Sequence, residues 1–503
     1  MNPISRTRRD LLASLAAGGL AAATGASPAA ALGKAKKPNI VFFLGEGLRW
    51  DEFGFMGNTI LKTPNMDRIA REGAVFRNAF CTNALCLPSR ASFLTGAYSH
   101  RTGAVTNDAN QVPKSFPMLC DVLREAGYET AFIGKSHIGG ALLDHPWDYY
   151  FGFKGQADYM HPRVIEGRKG QYGEETTYDE YVDDLLTDKA VEWVDSRSGD
   201  KPFVLFLWFY APHAPFYRPR RMLNDFNGVA IPVPENFDED LKGYPGKPPR
   251  VAAAENKIGS AEVFNDDPRT LEELVKNHYA GVQSNDEDVG RVMDSLEKKR
   301  MLDETVLFLS SDHGFFLGEH TFYDKRLMYE PSIRIPMMVR YPKTIAAGTV
   351  REEMVLNVDA AQTLLDMAGL SAPATMQGRS FYPLARGKDL PDWRKDWMYE
   401  FFEYPAFEAV PPCRGVRTER WKYIHYFVLP ESHELYDLET DPNEDHNLYG
   451  QPGYEAITEG LRNRLVELRR ETLDDYRWQA SRIAKMRAQY TPAPTDLVAA
   501  PGN

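Results

Sequence analysis

The stretch Cys86-Leu87-Pro88-Ser89-Arg90, followed by Ala91-Ser92-Phe93-Leu94-Thr95-Gly96, concentrates more chemistry than any other part of this 503-residue chain. A thiol, a ring-locked proline and a permanently charged guanidinium share one short span, and a Thr-Gly follows five residues after the arginine. The set is odd for a packing element; the plainer alternative is a buried cysteine in a proline-bounded turn. Elsewhere, polar residues recur at the ends of apolar runs. The run 40–44 leads into Gly45-Glu46-Gly47, and 128–133 into Gly134-Lys135-Ser136-His137. The run 203–211 leads into Pro212-His213-Ala214-Pro215, and 305–311 into Asp312-His313-Gly314. Such residues transfer protons, hold cations and neutralise anions. One of them at a run's end is ordinarily a turn residue. Four runs ending this way imply one shared site.

The runs are continuous rather than alternating, which suits strands covered on both faces of a parallel sheet. Helical patterns lie between them at 63–72, 115–126, 187–196 and 270–299. The alternation predicts an α/β fold with a doubly wound, mostly parallel sheet flanked by helices. In such sheets ligands bind beyond the carboxyl ends of the strands, where these polar residues fall. After residue 390 the texture changes. Stretches 397–402, 415–418, 421–428 and 434–438 read as strands and 454–476 as a helix. This predicts a smaller C-terminal antiparallel sheet plus helix. The expected domains are 38–390 and 391–485, with 486–503 a Pro/Ala tail. The Pro-, Gly- and acid-rich segment 232–266 reads as a long surface insertion.

Composition is that of a soluble globular protein, with 43% hydrophobic and 26% charged residues. The formal net charge is -12, and no block of Lys or Arg forms a stripe, which argues against nucleic acid or an anionic membrane as partner. Residues 1–31 carry Arg8-Arg9, an Ala/Gly/Leu run and Ala29-Ala30-Ala31. This is similar to a twin-arginine signal peptide and predicts bacterial export to the periplasm or beyond. No later run is long and apolar enough to span a bilayer. Cys81, Cys86, Cys120 and Cys413 make neither a disulfide framework nor a zinc pattern.

The Cys86–Gly96 string resembles the signature of the formylglycine-dependent sulfatases of the alkaline phosphatase superfamily. In that family the cysteine is converted to formylglycine by a maturation enzyme. The resemblance implies that residue 86, as the hydrated aldehyde, attacks sulfur while Arg90 holds the hydrate. Lys135 and Lys325 would neutralise the sulfate, His213 would protonate the leaving oxygen, and His137 would help expel sulfate. It further implies Ca2+ or Mg2+ held by Glu46, Cys86, Asp312 and His313. Glu46-Gly47 departs from the family's usual Asp-Asp or Asp-Gln, so an altered metal site is expected.

Segments such as 153–156, 181–193 and 414–420 are similar to bacterial N-acetylglucosamine-6-sulfatase-like members. They imply a 6-O-sulfated, N-acetylglucosamine-type sugar of a sulfated glycan as substrate, with Arg417 as a contact from the smaller domain. Bracing of its own strand is the alternative for Arg417. Two other functions stay open: a phosphodiester or phosphonate ester hydrolase of the same superfamily, or a sulfatase-like glycan-binding protein weakened at Glu46-Gly47.

Overall fold

Strand β1 (Asn39–Gly45) has every residue buried. Its side chains divide by the two-residue period of a strand. Ile40, Phe42 and Leu44 enter one core, while Val41 and Phe43 enter another on the opposite face. The computed structural model describes residues 36–107, 112–138, 140–237, 246–254, 271–404, 410–427 and 430–474. The described residues from Lys37 onward belong to one compact unit.

Nine further strands join β1: β2 (Ala74–Phe76), β3 (Glu129–Lys135), β4 (Tyr149–Phe153), β5 (Arg163–Arg168), β6 (Gln171–Thr177), β7 (Phe203–Trp208), β8 (Thr305–Ser311), β9 (Met337–Arg340) and β10 (Thr349–Arg351). Their order is β10-β2-β9-β8-β1-β7-β3-β4-β5-β6. The central block from β8 to β4 is parallel. Antiparallel pairing begins outside it, at β9 and β5. The mostly parallel sheet expected from the continuous apolar runs is therefore present.

Helices cover both faces. They are α1 (Pro64–Arg71), α2 (Cys86–Thr95), α3 (Leu119–Glu125), α4 (Val182–Asp195), α5 (Leu271–Lys298) and α6 (Ala360–Met367). Leu94 of α2, Leu123 of α3 and Leu364 of α6 share the Phe42 core. Ile69 of α1, Leu186 of α4 and Val289 of α5 share the Phe43 core. Each such fully buried apolar side chain contributes roughly 1.5–3 kcal/mol.

Two helices start elsewhere than their patterns suggest. Helix α3 begins four residues later than expected, because Pro117 disfavours helical backbone before it and Asp121 accepts the Met118 N–H as a cap. Helix α4 begins five residues earlier, with Asp183 and Asp184 in its first turn, where the helix dipole favours acids. Strand β7 stops at Trp208, because the Tyr210 and Ala211 N–H groups donate to Asp183 instead of a sheet partner.

The C-terminal strands β11 (Asp396–Phe401), β12 (Cys413–Thr418), β13 (Trp421–Tyr426) and β14 (Ser432–Asp437) form an antiparallel sheet in that order. Helix α7 (Glu455–Glu471) buries Leu461, Leu465 and Leu468 in the same core as Phe42. The insertion is less superficial than its composition suggests. Val251 is fully buried, and Lys247 Nζ donates to the Tyr436 hydroxyl at 3.1 Å. The expected signal segment 1–31 and the expected tail 486–503 lie outside the described residues.

Candidate active site

The carboxyl ends of β1, β3, β7 and β8 converge, and each delivers its polar residue to one point. Lys135 is the last residue of β3. It is preceded by Gly134, where an added Cβ would lie 1.9 Å from the Trp208 carbonyl oxygen, so only glycine lets β3 close on β7 here. Glu46 and Asp312 directly follow β1 and β8. Cys86 opens α2 from the side, and Gly96 ends that helix with φ 61°.

Glu46 is the hub. Its Oε2 lies 2.7 Å from Arg90 Nη2 and 2.8 Å from Lys135 Nζ. Its Oε1 accepts from Cys86 Sγ at 3.0 Å and lies 3.7 Å from Lys325 Nζ and 4.0 Å from His213 Nε2. Arg90 is wholly buried and uses its planar fork fully. Beyond Glu46 it reaches Asp312 Oδ2 at 2.8 Å and the Lys135 carbonyl at 2.5 Å. Cys86 Sγ lies 3.6 Å from His313 Nε2, and the His137 and His213 imidazoles are close enough to act on the thiol electrostatically.

Electrostatics follow from this crowding. Burial raises the Glu46 carboxyl, but Lys135 and Arg90 hold it well below the usual carboxylate range. Burial and Glu46 push the Cys86 thiol up; Lys135, Lys325 and the His137 imidazole outweigh them and bring it well below its ordinary value. Burial and the Glu46 charge push Asp312 up to about 6. Burial and Lys135 lower His213. Burial opposes the charge on Lys325, but Asp324 Oδ1 at 3.1 Å helps hold it well above its ordinary value.

A divalent cation fits among these side chains. Glu46, Cys86, Asp312 and His313 are all buried, and one ligand atom from each lies within 4.8 Å of the others. His313 Nδ1 pairs with the Gly314 carbonyl at 2.8 Å. That turns Nε2 toward Glu46 Oε1 and Asp312 Oδ1, each 3.4 Å away, an arrangement typical of ligating imidazoles. Gly47 contributes backbone only, its N–H donating to Asp312 Oδ1 at 3.1 Å. Its φ is +70°, and an added Cβ would meet Phe315 at 3.1 Å and His313 at 3.6 Å. A carboxylate at 47 would therefore be strained, and its room is taken by the Phe315 and His313 rings.

The six expected catalytic residues and four expected ligands thus come together. Arg417 does not join them. Its Nε lies 3.1 Å from Glu330 Oε1 and its guanidinium covers Phe80, which is the bracing geometry. Other residues of the site went unread in the sequence. Tyr210 lies under Lys135 at 5.3 Å and stacks on His213; it had been absorbed into an apolar run. Asp183, which holds the backbone before His213, fell outside the expected helix; paired acids ahead of an apolar pattern were its signal. Asn357 Nδ2 donates to Ser89 Oγ at 2.9 Å, and Ser89 Oγ in turn donates to the Asp312 carbonyl.

Comparison with known proteins agrees with this geometry. Residues 38–370 match the family model described as Sulfatase. The chain belongs to the sulfatase family. It is an enzyme of the sulfuric ester hydrolase class. Residues 318–471 match N-sulphoglucosamine sulphohydrolase, C-terminal. This sulfatase is 34% identical to an N-acetylglucosamine-6-O-sulfatase of Bacteroides thetaiotaomicron, covering 88% of each chain. It is 30% identical to a choline-sulfatase of Rhizobium meliloti, covering 83% of each. A solved structure in complex with its substrate D-glucosamine-2-N,6-O-disulfate superposes with a TM-score of 0.80 at 31% identity. That match covers 88% of this chain and 99% of the other.

Proposed function

We propose that this sulfatase hydrolyses 6-O-sulfate esters of N-acetylglucosamine-type sugars, with residue 86 matured to formylglycine. One observation carries the reading: Cys86 stands buried at a helix start, facing Glu46, with Arg90, Lys135 and Lys325 all within 3.7 Å of that one carboxylate. Three fixed cations around one carboxylate and a candidate nucleophile make a pocket for an anion. Formylglycine would supply a hydrated aldehyde, one hydroxyl of which attacks sulfur while the other lets sulfate leave.

The remaining residues act around that group. Lys135 and Lys325 bind the sulfuryl oxygens. Arg90 orients residue 86. His213, stacked on Tyr210, holds the proton for the departing sugar oxygen. His137 takes the proton whose loss releases sulfate. Ca2+ or Mg2+, held by Glu46, Asp312, His313 and residue 86, would add positive charge at the sulfate. The sugar preference rests on the relatives and on an aromatic surface beside His213. The Tyr159 hydroxyl donates to the His213 carbonyl, and Tyr217, 54% exposed, lies against the Tyr159 ring at 5.9 Å.

Export through the leader 1–31, and conversion of Cys86 by a maturation enzyme, complete the proposal. Among the described residues no helix is long and apolar enough to cross a membrane. The test is a substrate panel containing N-acetylglucosamine-6-sulfate, other sulfated sugars, an aryl sulfate, a phosphodiester and a phosphonate ester. The expected result is fastest sulfate release from the 6-sulfated hexosamine. Faster turnover of the phosphorus esters would reassign the enzyme, and glycan binding without any release would make it a binding protein.

A further inference from the structure

The small sheet carries ligating side chains that the chemistry above does not use. His425 of β13 and His433 of β14 are direct cross-strand partners, so they leave the same face with Cβ atoms ~5 Å apart. Their rings lie nearly parallel with centroids 4.7 Å apart. Glu431, two residues before His433, brings Oε2 to 3.0 Å from His425 Nε2. One ligand atom from each of the three lies within 4.8 Å of the others. His433 Nδ1 pairs with the Tyr423 hydroxyl at 3.0 Å, and its ring stacks on Tyr449. Such partners fix the orientation of a ligating imidazole.

We propose that His425, His433 and Glu431 form a second metal site, of the zinc class, opening on the groove between the small sheet and α7. Two imidazoles and one carboxylate suit Zn2+ better than Ca2+ or Mg2+, which prefer all-oxygen sets. Three protein ligands leave a fourth position for water or a ligand. All three residues border one groove of about 760 Å³, alongside Tyr449, Arg462 and Arg469, so that position is reachable from solvent. The metal would clip the β13–β14 hairpin at the end where the chain passes from one strand to the other.

The experiment is calorimetric titration of the chelator-treated full-length protein with zinc chloride, comparing the natural chain with His433→Gln and Glu431→Gln. The catalytic cluster is intact in all three, so any uptake there cancels in the comparison. The expected result is one zinc equivalent fewer in His433→Gln and roughly tenfold or greater weakening in Glu431→Gln, with sulfate release unchanged in both. Equal stoichiometry and affinity in all three proteins would overturn the proposal. If His433→Gln does not fold, Glu431→Gln decides alone, and unchanged affinity there overturns it.

Discussion

Two of the buried ion clusters among the described residues are built to opposite plans. Beneath the small sheet, Glu330 meets Arg417 Nε at 3.1 Å and Lys422 Nζ at 2.9 Å, and Glu444 meets Lys422 at 2.6 Å. Two cations answer two carboxylates, and the Glu330 N–H donates to Glu444 as well. At the edge of the large sheet, Glu46 faces Arg90, Lys135 and Lys325 at once, while Arg90 also meets Asp312 and Lys325 also meets Asp324. The first cluster neutralises itself and holds two parts of the fold together. The second gathers three cations around Glu46 with Cys86 in its midst. Burial of charge is common to both, so burial alone does not mark a catalytic site; convergence of cations on a reactive side chain does.

The comparison predicts different penalties. Lys135→Ala removes one of the three cations, and sulfate release should fall roughly 10²–10³-fold while the protein stays folded; a loss of only a few fold in steady-state kinetics would mean that Lys135 does not meet the sulfate. Lys422→Ala should do the reverse. It leaves Glu330 and Glu444 buried without their shared partner and should cost about 3–5 kcal/mol in urea unfolding, with kcat of the folded enzyme unchanged. A fall in kcat would show that the small sheet reaches the chemistry. Arg417→Ala should lower stability by less, about 1–3 kcal/mol, and leave turnover of every accepted glycan as it was.

The smallest effect concerns pH. His100 Nδ1 pairs with Glu400 Oε2 at 2.7 Å, joining the segment after α2 to β11. Burial works against its charge, but Glu400 raises the imidazole above its ordinary value. A raised folded-state value means stability that is full below about pH 6.5 and is lost as pH rises through the folded value. Thermal midpoints should therefore fall across that alkaline window, and His100→Asn should flatten the profile. A natural chain with no such fall would remove the pair from the account.

Four strands of the large sheet, β1, β3, β7 and β8, were legible because they are continuous apolar runs, and a run buried on both faces has few alternatives; β5 and β6, with exposed residues, carry no such signal. Strand β8 matches its expected span, and Glu46, Lys135, His137, His213, Asp312 and His313 could be read because they follow such runs, whereas Cys86, Arg90 and Lys325 were read from the resemblance to the sulfatases. What escaped was decided by partners distant in sequence. Asp183 ends β7 early by taking two backbone N–H groups, a contact no local pattern records. Tyr210 looked like one more apolar residue of a strand. Arg417 carries a charge suited to sulfate, but Glu330, 87 residues earlier, claims it. The left-handed backbone at Gly47, which bars a second carboxylate there, is equally invisible without the neighbouring Phe315 and His313.

The most direct test of the central claim is sulfate release by mature protein in which peptide mass shows residue 86 as formylglycine, alongside Cys86→Ala. The account predicts release from N-acetylglucosamine-6-sulfate by the converted protein and a loss of roughly 10⁵-fold or more in the variant. Equal release by both, or none from protein with confirmed conversion, would contradict it.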